Sequence, residues 1–282
     1  MKKLTITLTT IFTILMFVTS LGFAQEPSEE TNHTIINPSP KTVYDAIQAA
    51  RLSGDIDTAM THYADNAVFI AFPPPPDSDG IFVGKDAIQA VMEELHARNL
   101  TYAYTDFQTH GNKAAVTAKV SEDVFAGVGI DSLTFNGTSI LDDGLVIIET
   151  WMMEAESQLR FGEAMTIAAN EALFDRFLVE LWYQNDFDAV DEILSDDFVS
   201  HAFPEGNSDI LIEAIKGFRN DLPDGYFIID ELTVTTDKIV ALGSAVATPP
   251  ATGDEPERLD RFILTLSVVD GKIADRWVAF VP

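Results

Sequence analysis

Phe174, Phe177, Leu178 and Leu181 fall at i, i+3, i+4 and i+7, the apolar stripe of an amphipathic helix. Asn185 and Asp186 interrupt it, and their side chains satisfy the loose backbone groups of helix ends. Val190, Ile193 and Leu194 carry a second stripe. Phe198, Val199 and Phe203 then enter a strand, with His201 near its end.

The same phrase occurs earlier. Asp55, Asp57, Ala59 and Asp65 match Asp186, Asp188, Val190 and Asp196 at one constant offset, and Pro73 follows Phe72 as Pro204 follows Phe203. Agreement in order and spacing is the mark of a duplication, and a repeat this long occurring twice describes whole domains rather than solenoid units. The first copy is expected over 41–165 and the second over 166–282.

Around these phrases the pattern continues. In the first half, Val43, Ile47 and Ala50 open a helix, Ile56, Ala59, Met60 and Tyr63 line a second, and Ile88, Val91, Met92 and Leu95 a third over 85–99. Residues 67–72 read as a strand broken by Pro73 to Pro76. Four more strands are expected at 100–107, 113–120, 144–153 and 158–165. Gly127, Gly129, Gly137 and Gly144 mark the connection before the third of these as a loop. In the second half, a helix over 209–220 precedes strands at 226–235, 238–248, 258–269 and 272–281. Asp270-Gly271 is a hairpin dipeptide between the last two. Three helices, a strand and an antiparallel meander make an α+β fold: two tandem cone-shaped domains, each with helices packed on a curved, mainly antiparallel sheet. The open end of such a cone is a natural pocket.

Composition narrows the function. The formal charge is −28, so the basic footprint of a nucleic-acid binder is missing. Without cysteine there are no disulfides, thiol catalysis or thiolate metal sites. The histidines are scattered and show no paired metal-ligand spacing, so neither metal nor cofactor is expected. No Gly-rich phosphate loop and no nucleophile elbow occurs. Lys2-Lys3, the apolar run 4–18 and Gly22-Phe23-Ala24 before Gln25 read as a secretory signal peptide over 1–24. The threonines in that run leave it weakly apolar and short of the roughly 20 residues a bilayer span needs. A polar leader over 25–40 follows. The expectation is a secreted or periplasmic bacterial protein that is free of the membrane after cleavage.

The helix phrase Phe177 to Trp182, the turn Asn185-Asp186-Phe187-Asp188, the strand Asp197-Phe198-Val199-Ser200-His201, and the ending Asp270-Gly271-Lys272-Ile273 with Trp277 resemble the SnoaL-like polyketide cyclase branch of the nuclear transport factor two-like superfamily. The first half resembles it more weakly. The resemblance implies the cone fold. It leaves activity open, because that superfamily holds isomerases, cyclases, dehydratases, hydrolases and proteins that only bind.

It also points to residues. His201 stands where the family places a polar pocket residue, near the general-base aspartate of ketosteroid isomerases. It is either a base that titrates near neutrality or a histidine hydrogen-bonded at a strand end. The first half has Ile70 at that position. Trp277 occupies the family's aromatic position, for packing or for ligand contact. The acid that cyclases carry downstream of it is missing from Val278-Ala279-Phe280, and Leu264 stands where isomerases carry an oxyanion-holding acid. Asp260 and Arg261 read as an ion pair at a strand start. Phe203 and Tyr226 complete the expected ligand-binding set of the second half. In the first half Glu149 interrupts an apolar run just before Trp151, which puts it on a wet face or in a pocket. Tyr102 and Tyr104 either line the same cavity or pack. The sequence therefore predicts a binder of a small apolar or aromatic ligand, seated in the second cone against His201 and Trp277. The alternative is an isomerase, cyclase or lyase that uses His201 to abstract a proton next to a carbonyl. Pairing of the two domains within the chain, or a homodimer, is expected.

Overall fold

The structure, a computed structural model, describes residues 38–204, 206–247 and 257–281. The first half runs α1 (Pro40–Ser53), α2 (Ile56–Met60), β1 (Tyr63–Phe72), β2 (Ile81–Val83), α3 (Lys85–Ala97), β3 (Thr101–His110), β4 (Lys113–Ser121), α4 (Asp123–Gly127), β5 (Leu133–Asp142) and β6 (Leu145–Met153). Next comes α5 (Ala155–Arg176), which widens without a break into a π-helical stretch, Phe177–Tyr183. The second half continues with a 3₁₀ turn (Phe187–Ala189), α6 (Val190–Ile193), β7 (Leu194–Ser200), α7 (Ser208–Asp221), β8 (Tyr226–Val234), β9 (Lys238–Ala247), β10 (Glu257–Val269) and β11 (Lys272–Val281).

The strands form two separate sheets, ordered β2-β1-β6-β5-β4-β3 and β7-β11-β10-β9-β8. Each is antiparallel except where the early strand lies parallel to the last one, β1 on β6 and β7 on β11. The repeat seen in the sequence is thus a repeat of topology. Phe69 pairs with Glu149, and Ser200, its equivalent at the sequence offset, pairs with Arg276. Bulges between Tyr104 and Asp106 and between Ile229 and Glu231 occupy corresponding strands. Bulges sharpen local twist and bend a sheet.

Each sheet has its own core. In the first, Val43, Tyr44 and Ile47 of α1 and Ile88, Val91 and Met92 of α3 are buried with Ala114, Val116, Ala118 and Val120, the alternate residues of β4. In the second, Phe177, Leu181, Ile193, Leu211 and Ile215 are buried with Ile239, Ala241, Leu264 and Leu266. The Asp-Gly hairpins fall as strand twist requires. Asp270-Gly271 joins β10 to β11 with φ of 51° and 75°. Asp143-Gly144 joins β5 to β6 with 46° and 78°, the pair of positive angles that a two-residue hairpin needs.

Two expectations are corrected. Residues 158–165 are helical, part of α5, and not a strand. Leu159, whose alternation with Phe161 suggests a strand, is exposed, and Phe161 and Ala164 turn together onto the first core at helical spacing. The missing strand is Leu133–Asp142, expected as a glycine-marked loop. Its Gly137 sits opposite Trp151, and a Cβ there would lie 2.8 Å from Val116 and 3.3 Å from the Trp151 ring. The glycine makes room for the indole within a strand, and does not end one.

Candidate active site

In the first half a cavity of about 330 Å³ opens between the sheet and its helices. Phe69 and Ala71 of β1, Tyr102 of β3, Phe135 of β5, and Trp151 and Met153 of β6 supply the sheet side. Met92 and Leu95 of α3, and Phe161 and Met165 of α5, face them, with Pro73 to Pro76 along one edge. The lining is overwhelmingly apolar, the usual character of a small-molecule site.

Charge enters at two places. At the first, the pleat of β6 turns Glu149, Trp151 and Met153 inward together. Arg51, on the last turn of α1, meets Glu149 end-on: Nη1 donates to Oε1 at 3.0 Å and Nη2 to Oε2 at 2.9 Å. Trp151 Nε1 donates to Oε1 at 2.7 Å, and the Tyr63 hydroxyl, which also accepts from Arg51, donates to Oε2. Arg51 lies 5.8 Å above the rings of both Tyr63 and Phe69. Glu149 is only 1% exposed. Burial pulls the Arg51 guanidinium down, but Glu149 together with the Tyr63 and Tyr102 hydroxyls more than offsets this and holds it above its ordinary range. Burial likewise raises the Tyr63 and Tyr102 hydroxyls. The carboxylate is therefore ringed by four donors, and Arg51 and Trp151 present the network to the cavity.

At the second place Arg98, just past α3, and Glu122, just before α4, line the cavity with Arg98 Nε 3.5 Å from Glu122 Oε2. The contact satisfies no hydrogen-bond geometry, and both atoms are buried without a hydrogen-bond partner among the described residues. Burial lifts the Glu122 carboxyl above its usual range, with Arg98 pulling the other way.

The family profile for the SnoaL-like domain matches residues 42–161 and again 174–276. The chain belongs to the SnoaL-like family. Solved structures are also similar to part of the chain. An NTF2-like protein from Cytophaga hutchinsonii is 12% identical, with a TM-score of 0.35 over 43% of this chain and 95% of its own. A cystatin-fold protein from Novosphingobium aromaticivorans is 15% identical, with a TM-score of 0.34 over 40% and 97%. An LEH-like epoxide hydrolase from M. tuberculosis is 12% identical, with a TM-score of 0.35 over 43% and 87%. No curated protein matches the chain.

Of the residues singled out in the sequence, the first SnoaL-like cavity brings together Tyr102 and Trp151, with Glu149 directly behind Trp151. Tyr104 packs on Tyr44 and Tyr102 at ring-centroid distances of 5.7 and 5.6 Å, outside the lining. Two residues that carry the site, Arg51 and Arg98, were not among the expected ones. Arg51 had a signal: it lies seven residues after Tyr44, on the same helix face as Ile47 and Gln48, all of them buried.

The second SnoaL-like half differs from expectation. His201 and Trp277 stack face to face, 4.5 Å apart and 2° from parallel, but on the outer side of the sheet. Arg276 is buried, so the alternation of β11 turns its neighbours Asp275 and Trp277 to the opposite face, and Trp277 is 41% exposed. His201 Nε2 lies 3.0 Å from Asp275 Oδ1, and Ser267 Oγ donates to Asp275 Oδ2 at 2.7 Å. These two bonds hold the Asp275 carboxyl below its usual range. The expected pocket against His201 and Trp277 is corrected accordingly: the two rings form an exposed stack backed by a carboxylate. On the core side Phe203 lies under Arg276, its ring centroid 6.0 Å from the guanidinium. Arg276 donates to Ser200 Oγ at 3.1 Å, and burial brings its guanidinium down to about 10. Tyr226, half-buried at the start of β8, stands apart from both. Leu264 is buried in the second core, and Asp260 and Arg261 are exposed. Among the described residues no three His, Asp or Glu side chains gather as a metal-binding group, and no helix is long and apolar enough to cross a membrane.

Proposed function

We propose that this SnoaL-like protein binds a small, largely apolar molecule in the cavity of its first half. The observation that carries this reading is the 330 Å³ aromatic-lined cavity beside a buried, fully partnered Arg51–Glu149 pair. Binding is favoured over proton abstraction on chemical grounds. A general base needs a free lone pair within reach of the proton it takes, and Glu149 has both oxygens engaged. His201, the base foreseen from the sequence, lies on an outer sheet face against the exposed Trp277, away from the cavity.

Ala71 lies opposite Trp151 on the cavity wall, so a larger side chain there occupies ligand space. Ala71→Leu is expected to weaken binding of the neutral fluorescent probe N-phenyl-1-naphthylamine about tenfold or more, and His201→Ala to leave it unchanged. Fluorescence titration of the three proteins checks this. Equal affinity in wild type and Ala71→Leu sinks the first-half site, and loss of binding in His201→Ala returns the ligand to the second half.

We further propose that the protein works outside the cytoplasm. The support is the Lys2-Lys3 start, the apolar run 4–18 and the small-residue site before Gln25, all outside the described residues. Mass spectrometry of the protein from its native host is expected to find Gln25 as the first residue. An intact Met1 start on the mature protein contradicts it.

A further inference from the structure

Arg98 and Glu122 have an unusual standing among the cavity residues. A charged pair that makes its own hydrogen bonds, as Arg51 and Glu149 do, needs nothing from a ligand. Arg98 Nε and Glu122 Oε2 face each other as an ion pair at 3.5 Å, yet neither has a hydrogen bond among the described residues, and both residues line the cavity. The Glu122 side chain is only 10% exposed. Leaving such groups without a hydrogen bond is costly, and more so for charged ones.

Their placement is not an accident of two loose side chains. The backbone N–H of Asp123 donates to the carbonyl of Arg98 at 3.0 Å, and Asn99 Nδ2 donates to Asp123 Oδ2 at 2.8 Å. These two links clamp the end of α3 to the start of α4, so the main chain fixes where both side chains begin. That frame sets the ion-paired donor and acceptor 3.5 Å apart, without a hydrogen bond between them. A preorganised, unsatisfied donor–acceptor pair on an apolar wall is what a site needs to recognise one polar group on an otherwise greasy molecule.

We propose that Arg98 and Glu122 are the polar anchor of the ligand, and that the ligand carries a hydroxyl group which accepts from Arg98 Nε and donates to Glu122 Oε2. The inference rests on the first-half cavity being the binding site. The chemistry discriminates among ligand classes. A pure hydrocarbon leaves both atoms without a hydrogen bond. An ether accepts from Arg98 but offers Glu122 nothing. A carboxylate gains from Arg98 and is repelled by Glu122. A hydroxyl alone answers both with a single atom.

The test compares 2-naphthol with 2-methoxynaphthalene, which share a two-ring body and differ in the hydroxyl proton. Affinities are measured at pH 8 by fluorescence titration, on wild type, Glu122→Met and Arg98→Met. Wild type is expected to prefer 2-naphthol about tenfold, because a site built to pair a hydroxyl rejects its capped analogue. In Arg98→Met both probes are expected to bind more weakly, since each accepts from Nε, and in Glu122→Met the preference is expected to fall to within about twofold, while 2-methoxynaphthalene binds as before. That last value shows that the cavity has kept its shape. Equal affinity of the two probes for wild type overturns the anchor and leaves the pocket standing. So does a preference that survives in Glu122→Met, or a folded Glu122→Met protein that loses both probes alike. If neither probe binds wild type, the pocket reading itself falls, and the anchor with it.

Discussion

Glu149→Leu is expected to destabilise the first half by about 3–5 kcal/mol, the cost of leaving a buried partner charge uncompensated. The carboxylate is 1% exposed and takes hydrogen bonds from Arg51, Tyr63 and Trp151. Its removal strands a guanidinium that is nearly closed to water and leaves a phenol and an indole N–H without their acceptor. Arg51→Met is expected to be harmful in its turn, since it leaves the carboxylate buried with only neutral donors. The double variant Arg51→Met/Glu149→Leu is expected to recover much of the loss, because apolar side chains of similar volume often replace a buried ion pair at little cost. Urea denaturation of all four proteins gives the coupling. Strictly additive losses, with no recovery in the double variant, would mean that the two charges act independently despite their bidentate contact.

The second large effect is expected at Phe177. Its ring is fully buried where α5 passes into the π-helical stretch, and it meets Trp182 edge-on at 6.4 Å. Phe177→Ala removes an aromatic side chain from a position with no access to solvent, which costs about 3–5 kcal/mol of transfer and cavity energy. Urea denaturation followed by far-ultraviolet circular dichroism measures the loss. A loss below about 1 kcal/mol would show that the core collapses into the space, and that the widened helix is soft at this point.

Much of the fold could be read from the order of residues because duplication writes itself twice. The aspartates at 55, 57 and 65 and those at 186, 188 and 196 fixed the correspondence, and both copies place the strand that follows them parallel to the last strand of their sheet. What failed did so for local reasons. Gly137 imitated a loop signal because the clash it avoids, with Trp151, comes from a residue distant in the chain. The Asp143-Gly144 pair carries the hairpin signal of Asp270-Gly271, the same dipeptide with the same pair of positive φ angles.

The site was half legible. An acid inside the apolar run of β6, followed by tryptophan, marked Glu149 and Trp151, yet nothing near them names the arginine on another element that neutralises the acid. The duplication hides a further lesson here. Glu149 and Arg276 occupy equivalent positions, so the two copies bury opposite charges at the same depth. Among the described residues, the first copy supplies its acid with a charged partner, and the second gives its arginine a serine hydroxyl and aromatic faces. His201, rich in chemistry by type, lies on the outside of its sheet, because side-chain identity says nothing about which way a pleat turns.

One helical rod, unbroken from residue 155 to 183, carries Phe161 and Met165 over the cavity of the first half and Phe177 and Leu181 into the heart of the second. Wherever the copies were once joined end to end, the splice has since been absorbed into regular backbone. A scissile bond there would have to be prised out of a hydrogen-bonded spiral, so the halves are siblings that share a spine and cannot be parted by a nick between them.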